Sequence, residues 1–261
     1  MIDGVRLAVG TLTAFPIGSP RIVNRRTCGW AMTCAPLVGL LLAVVASLPH
    51  WLLGWSPVGP GPPLLMSALT IGLIALLTRA LHLDGLADTA DGLGSGKPAT
   101  DALAVMRHGD IGPFGVATLV LALLVQVAAF AELVAVGHGP GSIAVALIVS
   151  RLVVPLVCSR GIPPALPQGL GQAVAGSVSR LQLLLAAGLA CVAVLGSELA
   201  APGAGRALGP VSLLVVAAVA LVAGSAFCWW CVRRLEGVTG DVMGACVEIT
   251  FTVALVVLAL L

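Results

Sequence analysis

Three aspartates stand in the run His82-Leu83-Asp84-Gly85-Leu86-Ala87-Asp88-Thr89-Ala90-Asp91-Gly92. On a helix turning about 100° per residue, Asp88 falls about 40° from Asp84, and Asp91 about 20° to its other side. All three carboxylates then share one narrow stripe. Like charges so placed raise one another's pKa and destabilise the helix unless a cation sits among them. Hard oxygen ligands favour Mg²⁺, which keeps part of its water shell and completes it with substrate phosphates. Gly85 and Gly92 each follow an aspartate, and having no side chain they would let a phosphate approach the backbone. A solvated acidic loop at a helix end is the plainer reading. Against it, the chain has only 11 acidic residues in 261, and three of them fall within these eight positions.

A second acidic pair lies in Gly237-Val238-Thr239-Gly240-Asp241-Val242-Met243-Gly244 and, seven residues past Asp241, Glu248. That spacing again keeps both acids on one helical face. Gly240 and Gly244 form a small-xxx-small pair, which suits close helix packing and is compatible with a ligand role. Two cations are candidate phosphate partners. Arg107 follows the first acidic run, and Arg151 falls inside an apolar stretch where an unpaired charge is costly and marks function or a structural ion pair. His82, directly before the acidic run, is a candidate substrate contact.

The elements that must position these residues are membrane spans. The chain is 59% hydrophobic and 9% charged, with a mean hydropathy of +1.12; a soluble domain carries about 25% charged residues. Seven apolar stretches approach the about 20 residues a span needs: about 31–52, 62–82, 113–136, 141–158, 181–200, 208–230 and 243–261. The expected fold is all-α, a polytopic integral membrane helical bundle of about seven transmembrane helices. Residues 1–261 form a single membrane domain, with an acidic cytoplasmic segment at about 82–112 between the second and third spans. Pro57, Pro60, Pro62 and Pro63 separate the first two spans, and the stretch after Cys158 has room for a re-entrant piece. Trp30 and Trp51 bracket the first span, Trp55 follows it, and Trp229 and Trp230 close the sixth, as an interfacial aromatic belt requires.

Eleven of the 13 basic residues fall on one side: Arg6, Arg21, Arg25, Arg26, Arg79, Lys97, Arg107, Arg160, Arg180, Arg233 and Arg234. Arg206 alone falls on the other, and Arg151 within a span. The positive-inside rule places the N-terminus and the acidic segment in the cytoplasm and the C-terminus outside, as expected of a multi-pass protein of the cell (inner) membrane. No cleavable signal is expected, because Arg21, Arg25 and Arg26 follow the first apolar stretch instead of preceding it. A net charge of +2 excludes nucleic acid as an evident partner. Cys228-Trp229-Trp230-Cys231 ends an apolar run, and two sulfurs are half a zinc site. Gly92–Lys97 fails as a phosphate-binding P-loop, because Asp91 occupies the first glycine position and Pro98 follows the lysine.

Taken together, the run His82–Gly92, Met106-Arg107 with Ile111-Gly112 after it, Ser150-Arg151, and Gly240–Glu248 resemble the cobalamin synthase family, the adenosylcobinamide-GDP ribazoletransferases. Leu12-Thr13-Ala14-Phe15-Pro16-Ile17 and Ala35-Pro36-Leu37-Val38-Gly39-Leu40 are similar to the family's opening, so the resemblance runs collinearly over nearly the whole chain. One departure is that Met106-Arg107-His108-Gly109-Asp110 stands where the family often reads Met-Arg-Asp-Ser-Arg. Arg107 carries over, while Asp110 replaces the second arginine.

The resemblance implies an Mg²⁺-dependent membrane transferase whose substrates are adenosylcobinamide-GDP and α-ribazole or its 5′-phosphate. Its products are adenosylcobalamin or its 5′-phosphate, and GMP. The expected metal ligands are Asp84, Asp88, Asp91, Asp241 and Glu248, with Asp88 and Asp91 also catalytic. His82, Gly85, Gly92, Arg107, Arg151 and Gly240 would meet substrate or phosphate. The lipid bilayer is a partner, and self-association into a homo-oligomer is left open. A CDP-alcohol phosphotransferase also gathers aspartates at a helix end, but its pattern needs Ala-Arg where Ala87 is followed by Asp88. An ion or solute transporter would hold its acids near the midplane, whereas these gather at one interface.

Overall fold

The computed structural model describes residues 2–53, 62–200 and 209–261. Trp55, Pro57, Pro60 and Arg206, which figure in the expectations above, lie outside the described residues. The described chain is helical without strands, having only isolated bridges between Ser159 and Val178 and between Pro164 and Val238.

The first span begins after two short helices, α1 (Ile2–Leu12) and α2 (Arg25–Thr33), the latter capped by the Asn24 side chain accepting from the Thr27 N–H. It consists of α3 (Ala35–Ala46) and α4 (Leu48–Leu53). Next come α5 (Pro63–Leu77), α6 (Leu81–Gly94) and α7 (Ala99–Met106). The remaining long helices are α8 (Pro113–Ala135), α9 (Gly139–Val157), α11 (Arg180–Ala200), α12 (Pro210–Leu235) and α13 (Gly240–Leu260), with the five-residue α10 (Leu170–Val174) before α11. Proline opens α5, α8 and α12, where its missing N–H costs no helical bond.

Among the described residues six helical stretches are long and apolar enough to cross a membrane; α5 is shorter and passes that measure only together with α6, from which it is separated by a sharp bend. The protein is a multi-pass membrane helical bundle. α9 and α13 are its axis, 83% and 67% buried over their spans, while α8, α11 and α12 are 22% buried and present apolar flanks to lipid. α9 packs on α3, α11, α12 and α13, and α13 packs also on α6 and α8.

The α5–α6 pair is bent by 87°. Arg79 and Ala80 have φ of 54° and 52°, a left-handed turn built without glycine, at a cost of about 1–3 kcal/mol per residue that the surrounding packing must offset. The Ala80 N–H donates to the Ala75 carbonyl at 2.7 Å, closing α5, and the Arg79 guanidinium donates to the Gly10 carbonyl at 3.3 Å. This turn directs α6 across the end of the bundle instead of onward through it.

The loops at that end are tied together. Arg25 Nη2 donates to the Ala175 carbonyl at 3.2 Å and Arg234 Nη2 to the Lys97 carbonyl at 3.5 Å. The stretch after Cys158 folds back onto its surroundings, with Val178 N–H donating to the Cys158 carbonyl and Val238 N–H to the Pro163 carbonyl. The N-terminal segment, the α5–α6 turn, the α6–α7 loop, the 159–178 segment and the α12–α13 turn therefore form one layer.

Candidate active site at the crossing of α6 and α13

Two glycines set the crossing. A Cβ on Gly85 would lie 2.7 Å from the Asp241 carbonyl oxygen and 2.9 Å from its Cα, and one on Gly244 would lie 3.2 Å from the His82 Cα. The backbone of α6 therefore rests directly on the first turn of α13, and Asp84 and Asp88 come beside Asp241. Asp84 is exposed, and Asp88 and Asp241 are half-buried. Thr239 caps α13, accepting from the Val242 N–H at 3.2 Å, and its hydroxyl donates to Asp241 Oδ2 at 3.2 Å. That bond fixes one carboxylate at the crossing.

Asp88, past the bend and outside the spans, has its pKa pushed up to about 6, first by burial and then by the charges of Asp84, Asp241 and Asp91. Among the described residues the ion pairs are Arg6 with Asp3 and His108 with Asp110, so no basic side chain neutralises the converging carboxylates. A hard divalent cation fits this donor set in kind, with Asp84, Asp88 and Asp241 the groups that would hold it. Among the described residues no three acids, histidines or cysteines are drawn together as closely as in an occupied metal centre.

Two of the five expected ligands are engaged elsewhere. Asp91 is 7% exposed, and its Oδ2 accepts from the Gly112 N–H at 2.7 Å and its Oδ1 from the Gly115 N–H at 2.9 Å. Its carboxylate caps the N-terminus of α8, satisfying amides that have no intrahelical partner and complementing the helix dipole. Glu248 is buried two turns further along α13, about 10 Å beyond Asp241 at 1.5 Å per residue, where its Oε2 accepts from Gln126 Nε2 at 2.9 Å. Gln126 also donates to Thr252 Oγ1 at 2.9 Å, which ties α8 to α13.

The room beside the two motif glycines is filled by packing. Gly85 faces Asp241, and a Cβ on Gly92 would lie 2.9 Å from Met106 Sδ. Gly240 is different: its nearest neighbour is Leu170 at 3.5 Å, an ordinary contact, and it lines a cavity. Arg107 caps the end of α7, exposed, with Nε donating to the Leu103 carbonyl at 3.3 Å. Arg151 is 1% exposed in the middle of α9; Nη1 donates to Ser150 Oγ at 2.9 Å, while Nε and Nη2 have no partner. It lies within electrostatic reach of Glu248 and His82 without a direct ion pair.

Two cavities flank the crossing. One of about 190 Å³ lies between α1, α2, the start of α6, α9, α10 and the first turns of α13, and is bordered by His82, Gly240 and Asp241. The other, about 510 Å³ and open, lies between the end of α6, α7 and the start of α8, and is lined by Asp91, Lys97, Asp101, His108, Asp110 and Phe114 among others. The Asp110 of the departing motif thus faces this cleft beside His108, 3.8 Å away.

Thr239, Gln126, Gly112 and Gly115 were not singled out from the sequence as site residues. Gln126 carries a signal that was available, a lone amide in a 23-residue apolar helix. Thr239 shows the cap pattern of a hydroxyl three residues before the amide that donates to it. The two glycines are explained by their neighbour, because a Cβ at either would strike the Asp91 carboxylate.

A family model described as cobalamin-5-phosphate synthase matches residues 4–259. Three proteins named adenosylcobinamide-GDP ribazoletransferase are similar over nearly their full lengths. That of Frankia casuarinae is 37% identical, covering 100% of this chain and 95% of the relative. That of a Nocardioides species is 39% identical (98% and 97%), and that of Syntrophobacter fumaroxidans 36% identical (94% and 93%). No solved structure matches the chain.

Proposed function

Since the chain belongs to the cobalamin-5-phosphate synthase family, we propose that it transfers the cobinamide phosphate of adenosylcobinamide-GDP to a ribose hydroxyl of α-ribazole or its 5′-phosphate. The observation that carries this reading is the convergence of Asp84, Asp88 and Asp241 at the α6–α13 crossing with no basic partner.

The attacking hydroxyl oxygen forms a bond to the cobinamide-bound phosphorus, and the bond from that phosphorus to the GMP phosphate oxygen breaks. GMP leaves with the bonding pair, and a phosphodiester remains. Asp84, Asp88 and Asp241 would hold Mg²⁺, which when bound offsets the pyrophosphate's charge. Asp88 is the base. Half-buried beside Asp84 and Asp241, it can take the hydroxyl proton on an Oδ not turned to the cation. Asp241, oriented by Thr239, faces the same point from α13. Asp91 positions the reaction instead of entering it, by fixing α8 against α6. Glu248, through Gln126, supports the cluster from within the bundle. The 510 Å³ cleft with Lys97 has the volume and mixed charge for the GDP portion.

The active end faces the cytoplasm in this reading. The tied loop layer carries Arg25, Arg79, Lys97, Arg160 and Arg234, and excess basic residues mark the cytoplasmic side. The test is purified protein with adenosylcobinamide-GDP and α-ribazole, with and without Mg²⁺, following GMP. Mg²⁺-dependent release that requires α-ribazole is expected; release without the acceptor, or none at all, would overturn the proposal.

A further inference from the structure

We propose that the 190 Å³ cavity beneath the α6–α13 crossing is the subsite for the base of the acceptor nucleoside, with His82 as its hydrogen-bond partner. This assignment rests on the transferase reading above.

Size is the first argument. Cavities that take a whole drug-sized ligand run to about 300–1,000 Å³; about 190 Å³ admits one ring system and excludes a complete nucleotide. Chemistry is the second. The walls are chiefly Leu12, Met32, Val154, Met243 and Val247. Thr11 also borders the cavity, but its hydroxyl already donates to the Leu7 carbonyl at 2.7 Å. With Asp241 turned to the cation, His82 alone cannot satisfy the carbonyl, ring N–H and amine of guanine, and groups buried unmet weigh against it. Benzimidazole, the base of α-ribazole, has an apolar perimeter and one free ring nitrogen, so it needs a single partner.

His82 is that partner. It borders the cavity, is 4% exposed, and both ring nitrogens are covered and make no hydrogen bond in the protein, so a turn of the ring is what presents one to the cavity. Buried polar side-chain atoms are engaged in the large majority of cases, and an imidazole offers either a donor or an acceptor at each nitrogen. Asp241 and Gly240 border the same cavity. A base seated there holds its ribose toward Asp241, and hence beside Asp84 and Asp88, where the hydroxyl must lose its proton. The cavity and the open cleft thus divide acceptor from donor across the acidic crossing.

Steady-state GMP release decides this, with each substrate varied in turn on detergent-purified protein. His82→Phe keeps a ring and removes the nitrogens, and Leu170→Trp, at an exposed position that lines the cavity from the start of α10, narrows it. Loss of one hydrogen bond, or of the seat, raises KM for α-ribazole roughly tenfold or more. KM for adenosylcobinamide-GDP stays within about twofold, and His82→Asn recovers part of the loss. Equal shifts in both KM values, or none, in variants that elute as folded protein would overturn the subsite and leave the transferase reading standing. Absence of GMP release from the unaltered protein would remove both.

Discussion

Gly85→Ala is the sharpest perturbation of the crossing. Its Cβ would stand 2.7 Å from the Asp241 carbonyl oxygen, whereas ordinary contact begins at 3.4 Å, so α6 and α13 must part by about 0.7 Å. The obstacle is backbone, and no rotamer change relieves it. Over-packing of this kind costs about 1–3 kcal/mol, which a bundle held also through α9 and α8 survives. The chemistry is less tolerant. Asp84 and Asp88 ride on α6 and Asp241 on α13, and a displacement near 1 Å costs about 10²-fold in rate. GMP release should therefore fall about 10- to 100-fold, with a lowered but still cooperative thermal transition in detergent. Gly72→Ala is the control, because a Cβ there meets nothing within 4 Å, and alanine is the better helix former. Undiminished turnover in Gly85→Ala, measured beside a destabilised transition, would show that the crossing does not align the reacting groups.

Asp88→Asn should abolish turnover while the protein still elutes as a folded species; wild-type-like GMP release would refute its role as base and ligand. Because the folded state raises the Asp88 pKa from 3.8 to about 6, the folded protein binds more protons than the unfolded chain between those values. Metal-free stability should therefore increase as pH falls from about 7 toward 4; Mg²⁺ should flatten that trend, and a thermal series at several pH values with and without Mg²⁺ checks both. Asp91→Ala removes two amide acceptors at the start of α8, so stability should drop by about 1–2 kcal/mol, with Asp91→Asn recovering part of it; an unchanged denaturation midpoint would contradict the capping role.

The spans were legible because a membrane demands long apolar runs, and the six stretches fall on expected ones, while the run expected at 62–82 ends as a helix at Leu77, where the chain bends. The short helices were not. α1, α2, α7 and α10 lie in the loop layer, where length and composition carry little signal. The turn before the acidic run was hidden for a different reason. It uses Arg79 and Ala80 in a left-handed conformation that sequence reading assigns to glycine or asparagine, so nothing announced that α6 leaves the bundle direction. Without that bend the aspartates would continue a membrane span instead of lying across its end.

Within the site, angular position was legible and axial position was not. The period of the helix placed Asp84, Asp88 and Asp91 on one stripe, and Asp241 and Glu248 on another. Yet residues seven apart on one face are separated by about 10 Å along the axis. One cation with ligands about 2 Å from it cannot be shared by Asp241 and Glu248 at that spacing. Asp84, Asp88 and Asp241 come together around Gly85. Asp91 and Glu248 are engaged elsewhere, with the amides of Gly112 and Gly115 and the side chain of Gln126. Those partners come from α8, 21 or more residues away in sequence from either acid. A backbone amide is present at nearly every position and leaves no mark in the residue types. Separating a ligand from a cap therefore required the axial register of three helices, which only tertiary packing supplies.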